Sequence, residues 1–110
     1  MKTLRHFNHF TIAGFTYYDG ALVFSQLQIG TELSLVFEPD NRYDPKAVAI
    51  HFGEHKLGFV PRGSNDAIAK LLEMGHQPFA CHIQQLDPTA HPEKQVGVVV
   101  FVRRAGNLPN

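Results

Sequence analysis

The segment from Glu38 to Lys46 combines carboxylates, an amide, a guanidinium and a phenol between two segments that alternate like β-strands. Polar side chains on a loop between rigid strands commonly form a recognition site. The alternative is that Asn41 and Asp44 only close turns with their own backbone, while Tyr43 covers the core. The two interpretations are compatible, because a loop folded by its own side chains is also preorganised for binding.

Two further segments carry side chains that could bind a nucleic acid. Tyr17 and Tyr18 are adjacent, and on an extended segment one would fill the core while the other stays exposed. An exposed ring can stack on a nucleobase, which is worth about 1–3 kcal/mol per base, or it can be a core tyrosine whose hydroxyl reaches water. Arg62 precedes a predicted helix, where it could hold a phosphate or carboxylate, or it could simply be solvated.

Catalytic and metal-binding patterns have little support. Cys81 is the one cysteine, and its apolar, alternating neighbours predict a buried thiol with a raised pKa and low reactivity. The glycines form neither a GxGxxG motif nor a phosphate-binding loop. His51 and His55 flank a predicted turn with Glu54, so a metal-assisted nuclease is a remaining alternative. We expect no enzyme activity, cofactor or metal.

The composition is that of one folded domain. The 110 residues are 44% hydrophobic, and ten basic residues balance ten acidic ones, so no overall charge attracts the chain to a polyanion. The polar first residues and the lack of a long apolar run predict neither a signal peptide nor a membrane span. We expect a single cytoplasmic domain over 1–110, with its core at about 7–104, a flexible tail at 105–110, and a monomeric state.

Alternating apolar and polar residues predict short β-strands. The turn Gly53-Glu54 predicts a tight hairpin between two of these strands. The run Val96 to Val102 is apolar on both faces, which predicts a strand in the interior of the sheet. The alternating segments lie around residues 10–12 and at 32–37, 48–52, 56–60, 79–84 and 96–102.

Only one helix is predicted. Ser64 to Asp66 supply a polar N-terminal cap, and Gly75 supplies a left-handed C-terminal one. Strands with one covering helix predict a mainly β fold, a small and partly open β-barrel of about six strands. The alternative is a twisted antiparallel sheet with the helix on one face. The apolar face of the helix comprises Ala67, Ile68, Leu71 and Leu72.

Three segments, in this order, resemble the HIRAN domain family. They are GFTYYDG at 14–20, EPDNRYDPKAV at 38–48 and LGFVPR at 57–62, and a helix ending in LLEMG follows at 71–75. The resemblance spans about residues 9–75, and the Asn-x-Tyr-Asp-x-x-Ala-Val core of the second segment is the most specific part. It implies an OB-like β-barrel.

The resemblance also implies a function. Members of this family are modules of DNA translocases that act at stalled replication forks, or small free-standing proteins in bacteria. We therefore expect a non-catalytic DNA-binding module for single-stranded DNA, at its 3′-hydroxyl end, in DNA repair or replication-fork processing. A helicase or nuclease partner protein is implied as well. The alternative is a protein-interaction module on the same fold.

Roles at the DNA end follow from the matching motif positions. Tyr17 would stack on the terminal base, and Asp44 would accept a hydrogen bond from the terminal 3′-hydroxyl. A phosphorylated end cannot donate that bond, and its charge would be repelled by Asp44. Tyr43 would line the same pocket, and Asn41 would bind a base edge or the sugar.

The remaining roles concern phosphate and apolar contacts. Arg62 would hold a phosphate, with Phe59 supplying an apolar contact beside it. Thr16 stands where the end-binding member of the family has an arginine, and Arg42, at a position that is proline in that member, could restore that charge. Phe101 is a weaker candidate for a stacking residue on the late strand. Because acids lie among the cations, we expect weak, end-selective capture of one to three nucleotides.

Overall fold

The alternating segments of the sequence form β-strands in the computed structural model of the chain, which describes residues 3–105. The first strand begins earlier than the alternation around residues 10–12 predicts, and the other five agree with the prediction to within about two residues, the usual precision of strand bounds. The strands are β1 Leu4–Thr11, β2 Glu32–Phe37, β3 Val48–Phe52, β4 His55–Phe59, β5 Phe79–Leu86 and β6 Val96–Arg103.

All six strands belong to one antiparallel sheet in the order β1-β6-β5-β2-β3-β4. The sheet is not closed, and β1 and β4 are its edges. Directly after β1, Ala13 forms a bridge to Phe59 of β4, with N–H to carbonyl distances of 2.9 Å in both directions. The predicted mainly β, partly open architecture is confirmed, as are the interior position of β6 and the hairpin turn at Gly53-Glu54.

Gly58 permits the contact between the two ends of the sheet. Its φ is 151°, and a Cβ atom at this position would lie 2.3 Å from the carbonyl oxygen of Ala13. No other residue type could accept so close an approach without moving the backbone. Gly58 therefore lets the chain that leaves β1 pair with β4, which brings the following residues to the end of β4.

The predicted helix forms as α2, Asp66–Glu73, and packs against β2. Its buried residues are Ile68 and Ala69. Ala67 is exposed, so Ala69 belongs to the buried face where the sequence pattern predicted Ala67. Gly75 adopts the predicted left-handed conformation with φ 88°. The side chain of Asn65 does not cap the helix, although Asn65 occupies the capping position.

The segment around the paired tyrosines is not extended, and this prediction was wrong. A 3₁₀-helix at Phe15–Tyr17 leads into the short helix α1, Gly20–Val23, and a second 3₁₀-helix covers Phe24–Gln26. Phe15 fills the core instead of a tyrosine, since its ring occupies the space in which a Cβ at Gly20 would lie, 2.4 Å from Cζ. Tyr17 and Tyr18 are consequently both exposed.

The buried face of the sheet and α2 enclose one apolar core. Cys81 is buried in it, and burial raises the pKa of its thiol to about 12, as the sequence predicts. None of the helices formed by residues 3–105 is long and apolar enough to cross a membrane. The predicted tail, apart from residue 105, lies outside the described residues.

Candidate functional site

A surface cavity of about 480 Å³ lies where three segments of the chain meet: the turn after β1, the β2–β3 connection, and the end of β4. Six of the seven side chains predicted to form a DNA-binding site line it. Arg42 is the exception, because it is exposed and does not line the cavity. The six lining residues are Tyr17, Asn41, Tyr43, Asp44, Phe59 and Arg62.

The β2–β3 connection is folded by its own side chains. The Oδ1 atom of Asn41 accepts hydrogen bonds from the backbone N–H groups of Tyr43 and Asp44, at 2.9 and 3.0 Å. The Oδ1 atom of Asp44 accepts the N–H of Lys46 at 2.9 Å. These turns are the ones that the polar residues predict. Tyr43 does not cover the core, however, since 76% of it is exposed.

Asp44 is held from a second side as well. Its Oδ2 atom accepts a hydrogen bond from the Nδ2 atom of Asn65 at 3.0 Å, and Asn65 is a buried polar side chain. The backbone N–H of Lys46 contributes most to lowering the pKa of Asp44, and Asn65 and Arg62 add to the effect. Asp44 is therefore a carboxylate at neutral pH, with acceptor capacity beyond its two present bonds.

Arg62 is directed toward the same loop. Its Nη2 atom donates to the carbonyl oxygen of Tyr43 at 2.6 Å, and its Nε atom lies 3.7 Å from Asp44 Oδ2. The Arg62 side chain is 72% exposed. A guanidinium has five N–H donors, so Arg62 retains donors for an anion arriving from solvent. Its partners in the free protein are the loop and Asp44.

Aromatic rings form much of the cavity surface. Tyr17 is 81% exposed and lines the cavity together with Tyr43. Tyr18 and Phe59 pack edge to face with ring centroids 5.6 Å apart. Tyr18 lines the cavity but is not among the residues that sequence reasoning assigned to it.

A charged network lies behind this aromatic pair. The Nζ atom of Lys56 is 5.0 Å from the Phe59 ring centroid and 2.6 Å from Oε2 of Glu38. The Oε1 atom of Glu38 accepts a hydrogen bond from Asn41 Nδ2 at 3.2 Å. Burial alone would raise the pKa of Glu38, but hydrogen bonds from Lys56 and Asn41 lower it overall. The network links Asn41 to the Phe59 wall.

Thr16 and Phe101 do not line the cavity. The Thr16 hydroxyl donates a hydrogen bond to the Glu93 carboxylate at 2.9 Å. Phe101 lies in β6 beside His82, with ring centroids 6.2 Å apart, and does not line the cavity.

The cations near the cavity are largely neutralised by acids. Lys56 pairs with Glu38, Arg62 lies beside Asp44, and Lys46 pairs with Asp66 at 3.0 Å. Such pairing leaves little net positive charge at this surface.

The predicted metal alternative concerns two of the histidines, His51 and His55. The predicted alternative placed a metal at His51 and His55, but His55 Nδ1 pairs with Asp19 at 3.1 Å. Within residues 3–105, no three or more histidine, cysteine, aspartate or glutamate side chains come together to hold a metal ion.

Sequence reasoning missed several lining positions because they look like ordinary strand or turn residues. Apart from Tyr18, their side chains are small or belong to the core and carry no chemical signal of their own. Two signals were nevertheless visible: Tyr18 stands in a polar and aromatic cluster, and Gly14, Ala47 and Val60 lie within the three segments that resemble the family. These positions are Ala13, Gly14, Tyr18, Ala47 and Val60.

Comparisons with known proteins agree with this fold. A crystal structure of a protein from Lactobacillus plantarum superposes with a TM-score of 0.76 at 24% identity, covering 90% of this chain and 94% of that chain. The HIRAN domain of human HLTF superposes with a TM-score of 0.64 at 14% identity, covering 96% of this chain and 84% of that one. A search of curated proteins found no match. The HIRAN domain family matches residues 7–103, nearly the whole chain, and the protein belongs to that family.

Proposed function

We propose that the chain is a non-catalytic DNA-binding module that captures the 3′-hydroxyl end of single-stranded DNA in the cavity, in DNA repair or replication-fork processing. The observation that carries the proposal is the convergence of Tyr17, Tyr43 and Asp44 on one cavity from separate segments of the chain. A volume of about 480 Å³ lies within the usual range for small-ligand sites. The cavity would hold the last nucleotide of a strand.

The exposed rings supply the affinity in this proposal. Tyr17 stacks on the terminal base, and Tyr43 lines the pocket beside it. Stacking on an aromatic ring tolerates every base, because each base has a flat face. The module would therefore bind ends with little preference for sequence.

Asp44 supplies the selectivity for the end of the strand. A carboxylate only accepts hydrogen bonds, and a terminal 3′-hydroxyl is a donor. A 3′-phosphate offers no such donor at neutral pH and carries negative charge, which the carboxylate repels. The lowered pKa of Asp44 supports this role, since it keeps the group ionised.

The other predicted residues take supporting roles. Asn41 has one Nδ2 hydrogen beyond its bond to Glu38, which can bind a base edge or the sugar. Arg62 would hold a phosphate, and Phe59 would supply an apolar surface. Arg42, exposed outside the cavity lining, would meet a phosphate further along the strand.

The test is fluorescence anisotropy with labelled oligonucleotides of identical sequence ending in a 3′-hydroxyl or a 3′-phosphate. We expect the hydroxyl end to bind at least about tenfold more tightly, as an unpaired or repelled polar group costs about 1–3 kcal/mol. In Asp44→Asn the preference should shrink to less than about threefold. Asp40→Asn, an exposed acid on the same loop, is the matched control and should keep the preference.

Thermal unfolding of each variant accompanies the titration, because Asp44 also closes a turn. Equal affinity of the native protein for both ends would remove the role of Asp44. No binding to either oligonucleotide at millimolar protein would remove the DNA proposal and favour the protein-interaction alternative.

A further inference from the structure

The carboxylate of Glu93 binds the turn that carries Tyr17, which is distant from it in sequence. Glu93 lies in the β5–β6 connection, within a 3₁₀-helix at Pro92–Lys94. Its Oε1 atom accepts the N–H of Gly14 at 3.1 Å, and its Oε2 atom accepts the N–H and the hydroxyl of Thr16 at 3.0 and 2.9 Å. Three donors from residues nearly eighty positions earlier in the chain thus converge on one side chain.

These contacts hold the residues that set the position of the Tyr17 ring. Gly14 lines the cavity, and the N–H of Tyr17 donates to the carbonyl oxygen of Gly14 at 3.0 Å. Tyr17 itself is largely exposed, so core packing does little to position it. The turn from Gly14 to Tyr17 is therefore held by the buried Phe15 within it and by the hydrogen bonds that Glu93 accepts.

Glu93 is also held at its own end of the contact. Its backbone N–H donates to Nδ1 of His91 at 3.2 Å. The N–H of Thr16 contributes most to lowering the pKa of Glu93, followed by the Thr16 hydroxyl and the N–H of Gly14, while burial opposes them. Nearby His91 contributes in the same direction. The side chain is therefore ionised at neutral pH.

We propose that Glu93 is a positioning residue that holds the Tyr17 ring at the cavity, a role that rests on the proposed binding of DNA ends there. Glu93 does not line the cavity, and it acts through the Gly14–Tyr17 turn. The β5–β6 connection thereby contributes to a site that other segments of the chain form.

The first experiment needs no DNA. In ¹⁵N NMR spectra recorded from pH 7 down to pH 3, the amide signals of Gly14 and Thr16 should shift in one transition. Its midpoint should lie below the ordinary glutamate value of about 4.3, since the carboxylate form is stabilised. The hydrogen bonds are therefore complete above that ordinary value and are lost as the pH falls through the lowered pKa.

Glu93→Gln should abolish this transition. Because His91 is retained in this variant, ionisation of that histidine cannot account for the loss of the transition. The nuclear Overhauser contact between Gly14 Hα and the Tyr17 ring should also weaken in Glu93→Gln. Glu73→Gln, an exposed acid at the end of α2, is the matched control and should leave both signals unchanged.

The second experiment measures DNA affinity. Glu93→Gln should weaken binding of the 3′-hydroxyl oligonucleotide by about three- to tenfold, and this loss should disappear in a Tyr17→Ala background, because coupled residues are non-additive. A merely structural role would leave the same loss in both backgrounds.

The two proposals fail in different ways. Unchanged amide signals and an unchanged Tyr17 contact in Glu93→Gln would overturn the positioning role, whatever the DNA affinity. Additive losses in the double variant would also overturn it. If the native protein bound no DNA but the expected NMR changes were seen, the proposed function would be overturned. Glu93 would still position the Tyr17 ring, but the ring would not serve DNA binding.

Discussion

Exposed tyrosine rings are the side chains on which the proposed affinity depends most. A role in core packing does not account for tyrosine at positions 17 and 43, since 81% of Tyr17 and 76% of Tyr43 are accessible to solvent. Asp44 differs, because its carboxylate also closes a turn and meets the buried Asn65. Substitutions at the rings should therefore separate binding from stability more cleanly than substitutions at Asp44.

Tyr17→Ala should reduce affinity for a 3′-hydroxyl oligonucleotide by about 5- to 150-fold, the equivalent of about 1–3 kcal/mol of lost stacking. Its free energy of unfolding should change by less than about 0.5 kcal/mol, because the side chain is exposed. Anisotropy and urea unfolding measure the two effects. Leu22→Ala, 71% exposed on neighbouring α1, is the control and should alter neither. A comparable loss of affinity in the control would contradict the stacking role.

At the scale of elements, the site depends on the bridge between the turn after β1 and strand β4. The bridge brings Gly14 and Tyr17 to the end of β4, where Phe59 and Arg62 lie. The β2–β3 connection completes the cavity, and Arg62 donates to its backbone. A change that separates β4 from the turn should open the site and destabilise the fold together.

Gly58→Ala should destabilise the domain by about 2–4 kcal/mol, since a Cβ atom would collide with the Ala13 carbonyl oxygen. Gly63→Ala is the matched control, because Gly63 also has a positive φ, 90°, but has open space around it. It should cost only the conformational strain of about 1–2 kcal/mol. Urea unfolding gives both values. Equal destabilisation by the two substitutions would show that the bridge tolerates a side chain.

At the scale of the whole molecule, the balanced charge limits how the domain can hold DNA. Ten basic residues match ten acidic ones, and the cations nearest the cavity lie beside carboxylates. A protein that coats DNA instead presents a continuous basic surface. The charge distribution agrees with contact to one or two phosphates, next to a terminal nucleotide.

The affinity for a single-stranded oligonucleotide should therefore depend weakly on salt. One or two phosphate contacts give a slope of log K against log salt of about −0.7 to −1.4. Anisotropy titrations at salt concentrations from about 50 to 300 mM measure this slope. Arg62→Gln should flatten the slope by about 0.7. A slope steeper than about −3 would indicate an extended backbone interface instead of end capture.

The strands, the helix and the burial of Cys81 could be predicted because they depend on neighbouring residues. Alternation with period two describes which face of a strand is apolar. That pattern survives in β2, whereas β3 and β5 each begin with three consecutive buried residues. The turns at Asn41 and Asp44 are equally local, since each side chain bonds to backbone two or three residues away. The likeness of three motifs to one family indicated which segments belong to the site.

Contacts between residues that are distant in sequence could be identified only from the tertiary structure. Glu93 meets Thr16, and Asn65 meets Asp44 instead of capping its own helix. No local pattern marks such pairs, because the order of strands in the sheet determines which connections become neighbours. The tyrosine segment was mispredicted for a related reason. Phe15 is buried in the core from within a 3₁₀-helix, and this tertiary burial outweighed the local tendency to extend.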